Sequence, residues 1–391
     1  MKKLTAIFLL LSFLLCSCKK NISNASSDYC FETDYQYQYY DQTVFISNHL
    51  AEAPKGYYYI SKENLLRFID KETMEDIIVC GKPDCLHDTS AELTVEDREK
   101  CNAYMKTTYF YLHYYEDYLY YTSSEYDERR GFYSALTRIS LDGSQRKIVW
   151  DYTWPEKYSG STIYLHLFHR GKIYFILYQG VGTEEGKSAY LISYDLSSKK
   201  LEELYRYDAD ETYLASSLQV IGNAMYWHNI VSSDFQAMEV VRFDLSTRDI
   251  TVYEDCQDFF CGGDRIYIQQ MRPSEDINYA KFHCIDKEGN DQGVLEITGD
   301  LYSIFKMDEK YIYNYDRPAT EESGILVYSK ETQEKVAFLP YPDGFLKLDF
   351  SVIPVNGKVL LYDVPHEKTY YAKIDAIGTP DFQWYEVEKV N

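Results

Sequence analysis

The chain has 391 residues, with 40 Lys and Arg against 62 Asp and Glu, for a formal net charge of -22. A surface this acidic repels phosphate backbones and anionic headgroups, which argues against nucleic acid as a partner. The length exceeds what one ordinary hydrophobic core organises, so several domains or a repeated unit must carry it.

The N-terminus, MKKLTAIFLLLSFLLCSC, places Lys2 and Lys3 before an apolar tract that ends in small residues. The tract is too short to span a bilayer and stay there, so it reads as a secretory signal. Leu15-Cys16-Ser17-Cys18 resembles the lipobox of bacterial lipoproteins, and the resemblance implies that residues 1–17 are removed and that lipid is attached to Cys18. An ordinary cleaved signal with an incidental cysteine is the plainer alternative. Removal takes away two lysines and no acids and brings the formal charge from -22 to -24. Several acyl chains on one residue give the anchoring that a lone chain does not, and the polar residues 18–29 suit a short flexible tether. The expected address is the outer side of a bacterial cell membrane, held there by lipid.

The folded part is expected over residues 30–391. Residues 31–40, FETDYQYQYY, alternate cleanly, with Phe31, Thr33, Tyr35, Tyr37 and Tyr39 on one face, and this strand is expected to pair with a terminal unit. Next come seven aliphatic and aromatic strands that each end in a turn, at Asp70, Asp142, Asp195, Asp244, Asp286, Lys330 and Asp375. From Asp142 onward the intervals are 53, 49, 42, 44 and 45 residues, whereas Asp70 to Asp142 spans 72, so an insertion of about residues 80–104 lies between the first two units. A partner strand precedes each, opened in most cases by Gly, Asp or Asn, and a further apolar run precedes most of those. Residues 91–100 are the only stretch of good helix formers. Four strands recurring at this period specify an all-β fold, a β-propeller of about seven four-stranded blades, with six or eight as the neighbouring counts. The 42 tyrosines follow strand period, which favours packing between blades over a carbohydrate platform.

The insertion carries Cys80-Gly81-Lys82-Pro83-Asp84-Cys85-Leu86-His87, then Cys101. Three cysteines and a histidine can make a Cys3His tetrahedral site for structural zinc at Cys80, Cys85, His87 and Cys101. A disulfide within the insertion is the competing reading, favoured by export and by a spacing that departs from C-x2-C; free thiols are the third. Beyond Cys18 there are seven cysteines (30, 80, 85, 101, 256, 261 and 284), an odd number that cannot all pair. Cys256 and Cys261 are expected to bracket a short turn, with a local disulfide across it.

Asp117 to Tyr121, followed by Arg138-Ile139-Ser140-Leu141-Asp142-Gly143, resembles the TolB-like propellers, in particular propeller lipoproteins of anaerobic bacteria. The resemblance covers most of residues 43–391 and implies blades, not an activity. The W-S-P-D-G repeat of TolB is absent, so no TolB-type partner is carried over. A C-x-K-P-x-C-x-H run similar to residues 80–87 occurs in those lipoproteins, which implies that the cluster belongs to the family. Residues 140–144 also resemble the Asp box of sialidases, but Gly directly follows Asp here and the pattern occurs once, so it reads as a hairpin turn.

The G-x-S-x-G, H-E-x-x-H, P-loop, G-x-G-x-x-G and EF-hand patterns are all missing. His113, His166 and His228 fall in or beside strands of different units and could meet in a central channel around a metal. A satisfied strand histidine is the plainer reading. With no catalytic motif, the expectation is a binding module for a protein or glycan, more readily than an enzyme. The ligand would meet the connections at residues 123–131, 179–187, 272–278 and 317–323. The alternative is a metal-assisted polysaccharide lyase or hydrolase with its site in the central channel.

Overall fold

The computed structural model describes residues 50–390 apart from 86, 88–93, 108–111, 159–160, 180–187, 209–212, 231–237, 263–264, 272–277, 316–323, 344, 346–349, 356 and 364–366. The signal, tether and alternating strand expected within residues 1–49 therefore lie outside the described residues.

Seven sheets of four antiparallel strands follow one another along the chain, the first of them joined by a fifth strand from the C-terminus. Blade 1 comprises β1 (Ala51–Ala53), β2 (Gly56–Ile60), β3 (Leu66–Asp70) and β4 (Glu75–Ile78). Blade 2 comprises β5 (Leu112–Tyr115), β6 (Tyr118–Asp127), β7 (Gly131–Ser140) and β8 (Arg146–Trp150). Blade 3 has β9 (Thr162–His169), β10 (Lys172–Gln179), β11 (Ser188–Asp195) and β12 (Leu201–Asp208), and blade 4 has β13 (Tyr213–Ile221), β14 (Ala224–Ile230), β15 (Met238–Asp244) and β16 (Ile250–Glu254). Blade 5 has β17 (Cys256–Gly262), β18 (Arg265–Gln270), β19 (Tyr279–Asp286) and β20 (Asp291–Thr298). Blade 6 has β21 (Ile304–Met307), β22 (Tyr311–Tyr315), β23 (Gly324–Ser329) and β24 (Lys335–Pro340). Blade 7 has β25 (Phe350–Val355), β26 (Lys358–Asp363), β27 (Lys368–Lys373) and β28 (Tyr385–Glu386). The seven-blade count agrees with the sequence period.

Turn chemistry explains why the strands reverse where they do. Glu116 and Asp117 have φ of 45° and 63°, and Arg170 and Gly171 have 45° and 74°, the paired left-handed residues of a two-residue hairpin. Between third and fourth strands, the carboxylates of Asp70, Asp195 and Asp244 each accept backbone N–H groups two and three residues on. Asp142 accepts from Ser144 and Asp286 from Glu288 and Asn290. In blade 6 the Ser329 hydroxyl takes this role, so Lys330 is not the turn residue. Asp375 is not one either: β27 stops at Lys373 and a single 3-10 turn, Ile374–Ala376, follows. The Ser140–Ser144 stretch is a hairpin turn, as its sequence indicates.

The core is divided into wedges, one between each pair of neighbouring blades. Tyr57 and Tyr226 are fully buried in separate wedges, Tyr313 and Tyr315 together in a third, and Trp150 stacks on Tyr194 with ring centroids 4.2 Å apart. Most described tyrosines thus serve interblade packing, where each ring buries a large apolar area.

Ring closure takes an unexpected form. After β28 the chain leaves blade 7, inserts Val387 into the wedge shared with Tyr57, Tyr59, Ile69 and Leu360, and ends as β29 (Glu388–Val390). Here β29 pairs in parallel with β4, placing Glu388 opposite Glu75 and Val390 opposite Ile77. Ending the chain after Glu386 removes both the ladder and a buried valine. Loss of roughly 2–4 kcal/mol is expected, seen as a lower urea midpoint and faster proteolysis at the blade 7 to blade 1 seam. An unchanged midpoint would mean that the latch contributes nothing to stability.

Candidate metal centre

The insertion leaves β4 through Val79 and turns at residues 82–85, where Cys85 N–H donates to the Lys82 carbonyl at 3.2 Å. One short helix follows, α1 (Val95–Glu99), with Thr94 as its N-cap: the Thr94 hydroxyl accepts from Asp97 N–H at 3.2 Å. Cys101 N–H closes the last turn on the Arg98 carbonyl at 2.9 Å.

The segment then grips both adjoining blades. Leu66 N–H donates to Ala103 O and Met105 N–H to Asn64 O, each at 2.7 Å, while Ser124 N–H of blade 2 donates to Lys106 O at 2.8 Å. Cys101, Ala103 and Met105 are buried in the wedge between blades 1 and 2. On the other flank, the blade 2 turn comes so close that a Cβ on Gly143 would lie 2.8 Å from Val79 O. At φ +74° that position suits only glycine well. Arg146 donates to Asn102 O from the same side.

This scaffold brings one ligand atom from each of Cys80, Cys85, His87 and Cys101 within 4.8 Å of one another, with Cys101 Sγ 3.6 Å from His87 Nδ1. Around a tetrahedral zinc with bonds of ~2.0–2.3 Å, neighbouring ligand atoms sit roughly 3.4–3.8 Å apart, so a small contraction closes the set on an ion. Cys101 is buried and the other three are half-buried.

The electrostatics match a cation-binding set. Burial disfavours the Cys80 thiolate, but the backbone N–H groups of Lys82 and Asn102, with the thiols of Cys85 and Cys101, donate to its sulfur and hold it below an ordinary thiol. Burial pushes Cys85 up to about 12, helped by Cys101 and Cys80. Burial also raises Cys101, although the Ala103 N–H opposes it. Three sulfurs this close compete for charge, and a divalent cation is what allows all three to ionise together. The site fits a structural metal such as zinc. The disulfide reading has no counterpart here, because Cys80, Cys85 and Cys101 are free thiols.

The centre also corrects the expectation of no catalytic motif and of a chain more readily not an enzyme. Four convergent ligands able to hold a Lewis-acidic ion are such a constellation, although none of the motif patterns matches them. The channel histidines do not supply it. His113 lies on β5 with its ring 5.6 Å from that of Phe168, and His228 is buried on β14, where burial holds its imidazole neutral against the pull of Asp258 and Glu239. His166 lies on β9 with its side chain outside the described residues. Among the described residues no second group of three or more such ligands gathers.

Cys256 and Cys261 require a second correction. Both lie on one strand, β17, and residues 257–260 are extended rather than turned. Five residues of strand separate Cα atoms by roughly 16 Å, and a disulfide spans at most about 7 Å, so no local bridge forms. Neither is in a disulfide, both are buried, and burial pushes each thiol up to about 12. Of the connections expected to meet a ligand, residues 123–131 are described, whereas 180–187, 272–277 and 317–323 lie outside the described residues.

The backbone donors of Lys82 and Asn102 and the close approach at Gly143 were not anticipated. The signal for the last was Gly143 itself, a tight turn residue that follows the third strand after the insertion.

No protein-family model matches the chain, and no curated protein matches it. Among solved structures it is similar to the Pyrococcus horikoshii acylaminoacyl peptidase, at 13% identity and TM-score 0.42 over 70% of this chain and 45% of that one. It is similar to the β-propeller domain of the Trilobed protease from Pyrococcus furiosus at 12% identity and TM-score 0.44, over 71% and 84%. Tricorn protease matches at 9% identity and TM-score 0.46, over 93% of this chain and 36% of that one. The chain thus spans less than half the length of the acylaminoacyl peptidase and of tricorn protease.

Proposed function

We propose that this chain is an exported propeller, anchored by lipid at Cys18, that holds zinc at Cys80, Cys85, His87 and Cys101 and engages a protein or glycan through the connections between second and third strands. The observation that supports this most is the convergence of four metal ligands on a clasp joining blades 1 and 2. Metal-assisted hydrolysis or elimination is the better supported form of that engagement, because a metal-ligand set is the chemically competent group that the described residues supply. The work would then be done at the clasp rather than in the central channel. With four ligands the ion would be closed and structural; were His87, the one neutral ligand, to leave, Cys80, Cys85 and Cys101 would still hold the ion with one position open, where it would supply Lewis acidity to a water.

The test uses the mature protein. Zinc is measured by mass spectrometry, and polysaccharides and a denatured protein are offered before chelation, after it, and after zinc is restored. New reducing ends, unsaturated products or new amino termini that vanish on chelation and return with zinc are expected. Zinc-loaded protein that cleaves nothing confines the ion to a structural role. Protein with no zinc at all removes the proposal.

A further inference from the structure

We propose that the tip of the β6–β7 hairpin binds neutral sugar rings, with Tyr126 and Phe132 as the stacking surface. The proposal rests on the reading that second-to-third strand connections face the ligand, and it narrows that ligand to a glycan.

This hairpin has the two longest of the described strands. Its strands have ten residues each and pair without a break from Tyr118 opposite Ser140 to Asp127 opposite Gly131. Pairing with β8 stops at Leu136, and on the other side Ser124 N–H donates to Lys106 O, so it is the outer half, residues 125–134, that is left half-buried or exposed. That half is nevertheless braced. The Asp127 carboxylate accepts from the N–H groups of Arg129 at 2.9 Å and Arg130 at 3.2 Å. The Arg130 guanidinium lies 4.0 Å over the Tyr133 ring and donates to Asp151 at 2.8 Å.

On this rigid arm Tyr126 and Phe132 face each other across the strands with ring centroids 5.1 Å apart. They are 64% and 85% exposed, far more than any other large apolar side chain among the described residues. Two aromatic side chains offer roughly 300–500 Å². A stable protein partner needs about 800 Å² per side, so the patch is too small for protein docking and matches one or two sugar rings. Glu125, Asp127 and Glu128 share the tip, which disfavours insertion into a lipid interface, and the net charge of -22 repels acidic polymers. A neutral saccharide suits all of these features. Its C–H face lies on an aromatic ring, and its hydroxyls bond to the exposed Glu128 carboxylate and Arg129 guanidinium at the tip.

The test runs the mature chain through native gels cast with a mannan, a xylan or a β-glucan. At least one polymer is expected to retard it. Phe132→Ala and Tyr126→Ala should each weaken that binding about ten-fold, while Phe132→Trp retains it. Because both rings are exposed, thermal midpoints should stay within ~1 °C of the parent, which separates lost stacking from lost fold. Retardation by none of the three overturns the proposal, as does equal retardation of parent and variants. Sedimentation with phosphatidylcholine vesicles that Phe132→Ala abolishes would assign the tip to a membrane and overturn it as well. If the double alanine variant still captures a polymer, the broader ligand-face reading stands and the hairpin site falls.

Discussion

Cys101→Ser is expected to reduce bound zinc from about one ion per chain to a trace and to loosen the clasp between blades 1 and 2. Cys101 is the ligand set deepest in the wedge, and the residues after it, Ala103 and Met105, carry the hydrogen bonds to blade 1. Losing the ion leaves the remaining thiols crowded with no cation to share, so the segment detaches while the other wedges keep their packing. The loss should be about 3 kcal/mol or more, and chelation of the parent protein should reproduce it. Mass spectrometry for zinc, thiol titration and proteolysis between residues 80 and 107 check it. A variant that keeps its zinc, or a parent that never held any, would refute the site.

A comparable loss is expected from Asp76→Ala, at a place with no metal. Asp76 is buried on β4, its side chain 2% exposed, and accepts from Arg67 Nε at 2.9 Å and from the Tyr59 hydroxyl at 2.5 Å. Removing the carboxylate strands a guanidinium that is itself 8% exposed. Breaking a buried pair from one side costs about 3–5 kcal/mol, because the surviving charge keeps its desolvation penalty without its partner. Replacing both, as Arg67→Met with Asp76→Leu, should recover most of that loss. A denaturant double-mutant cycle reads the difference, and equal losses in the single and double variants would show that the pair is not what holds the position.

The architecture could be read in the sequence because a propeller repeats its instructions. Each blade restates an alternating strand and a turn residue, so an error at one position, such as Lys330 or Asp375, leaves the count intact. The metal cluster was legible for another reason: three cysteines and a histidine in the one stretched interval have few other uses. Two features were hidden by physics that is not local. Residues 388–390, Glu-Lys-Val, are short and mostly charged like many surface segments, and nothing in them names a partner more than 300 residues earlier. Asp76 looks like a solvent-facing residue in a strand until Arg67 and Tyr59 are placed beside it. Cys256 and Cys261 were misread because Gln257 and Asp258 resemble turn residues, whereas a register shift in β17 accommodates them within the strand.

The C-terminal latch also bears on how the molecule is made. Residues 75–77 cannot acquire their last strand until residues 388–390 exist. At ~5–20 residues per second of synthesis, that is a delay of about 15–60 s. Throughout it, Tyr57, Tyr59, Ile69 and Met74 have no seventh blade to cover them and present a sticky flank to any passing chain. A cell that produces this protein therefore has reason to shield the newborn first blade with a holding chaperone until the final strand arrives.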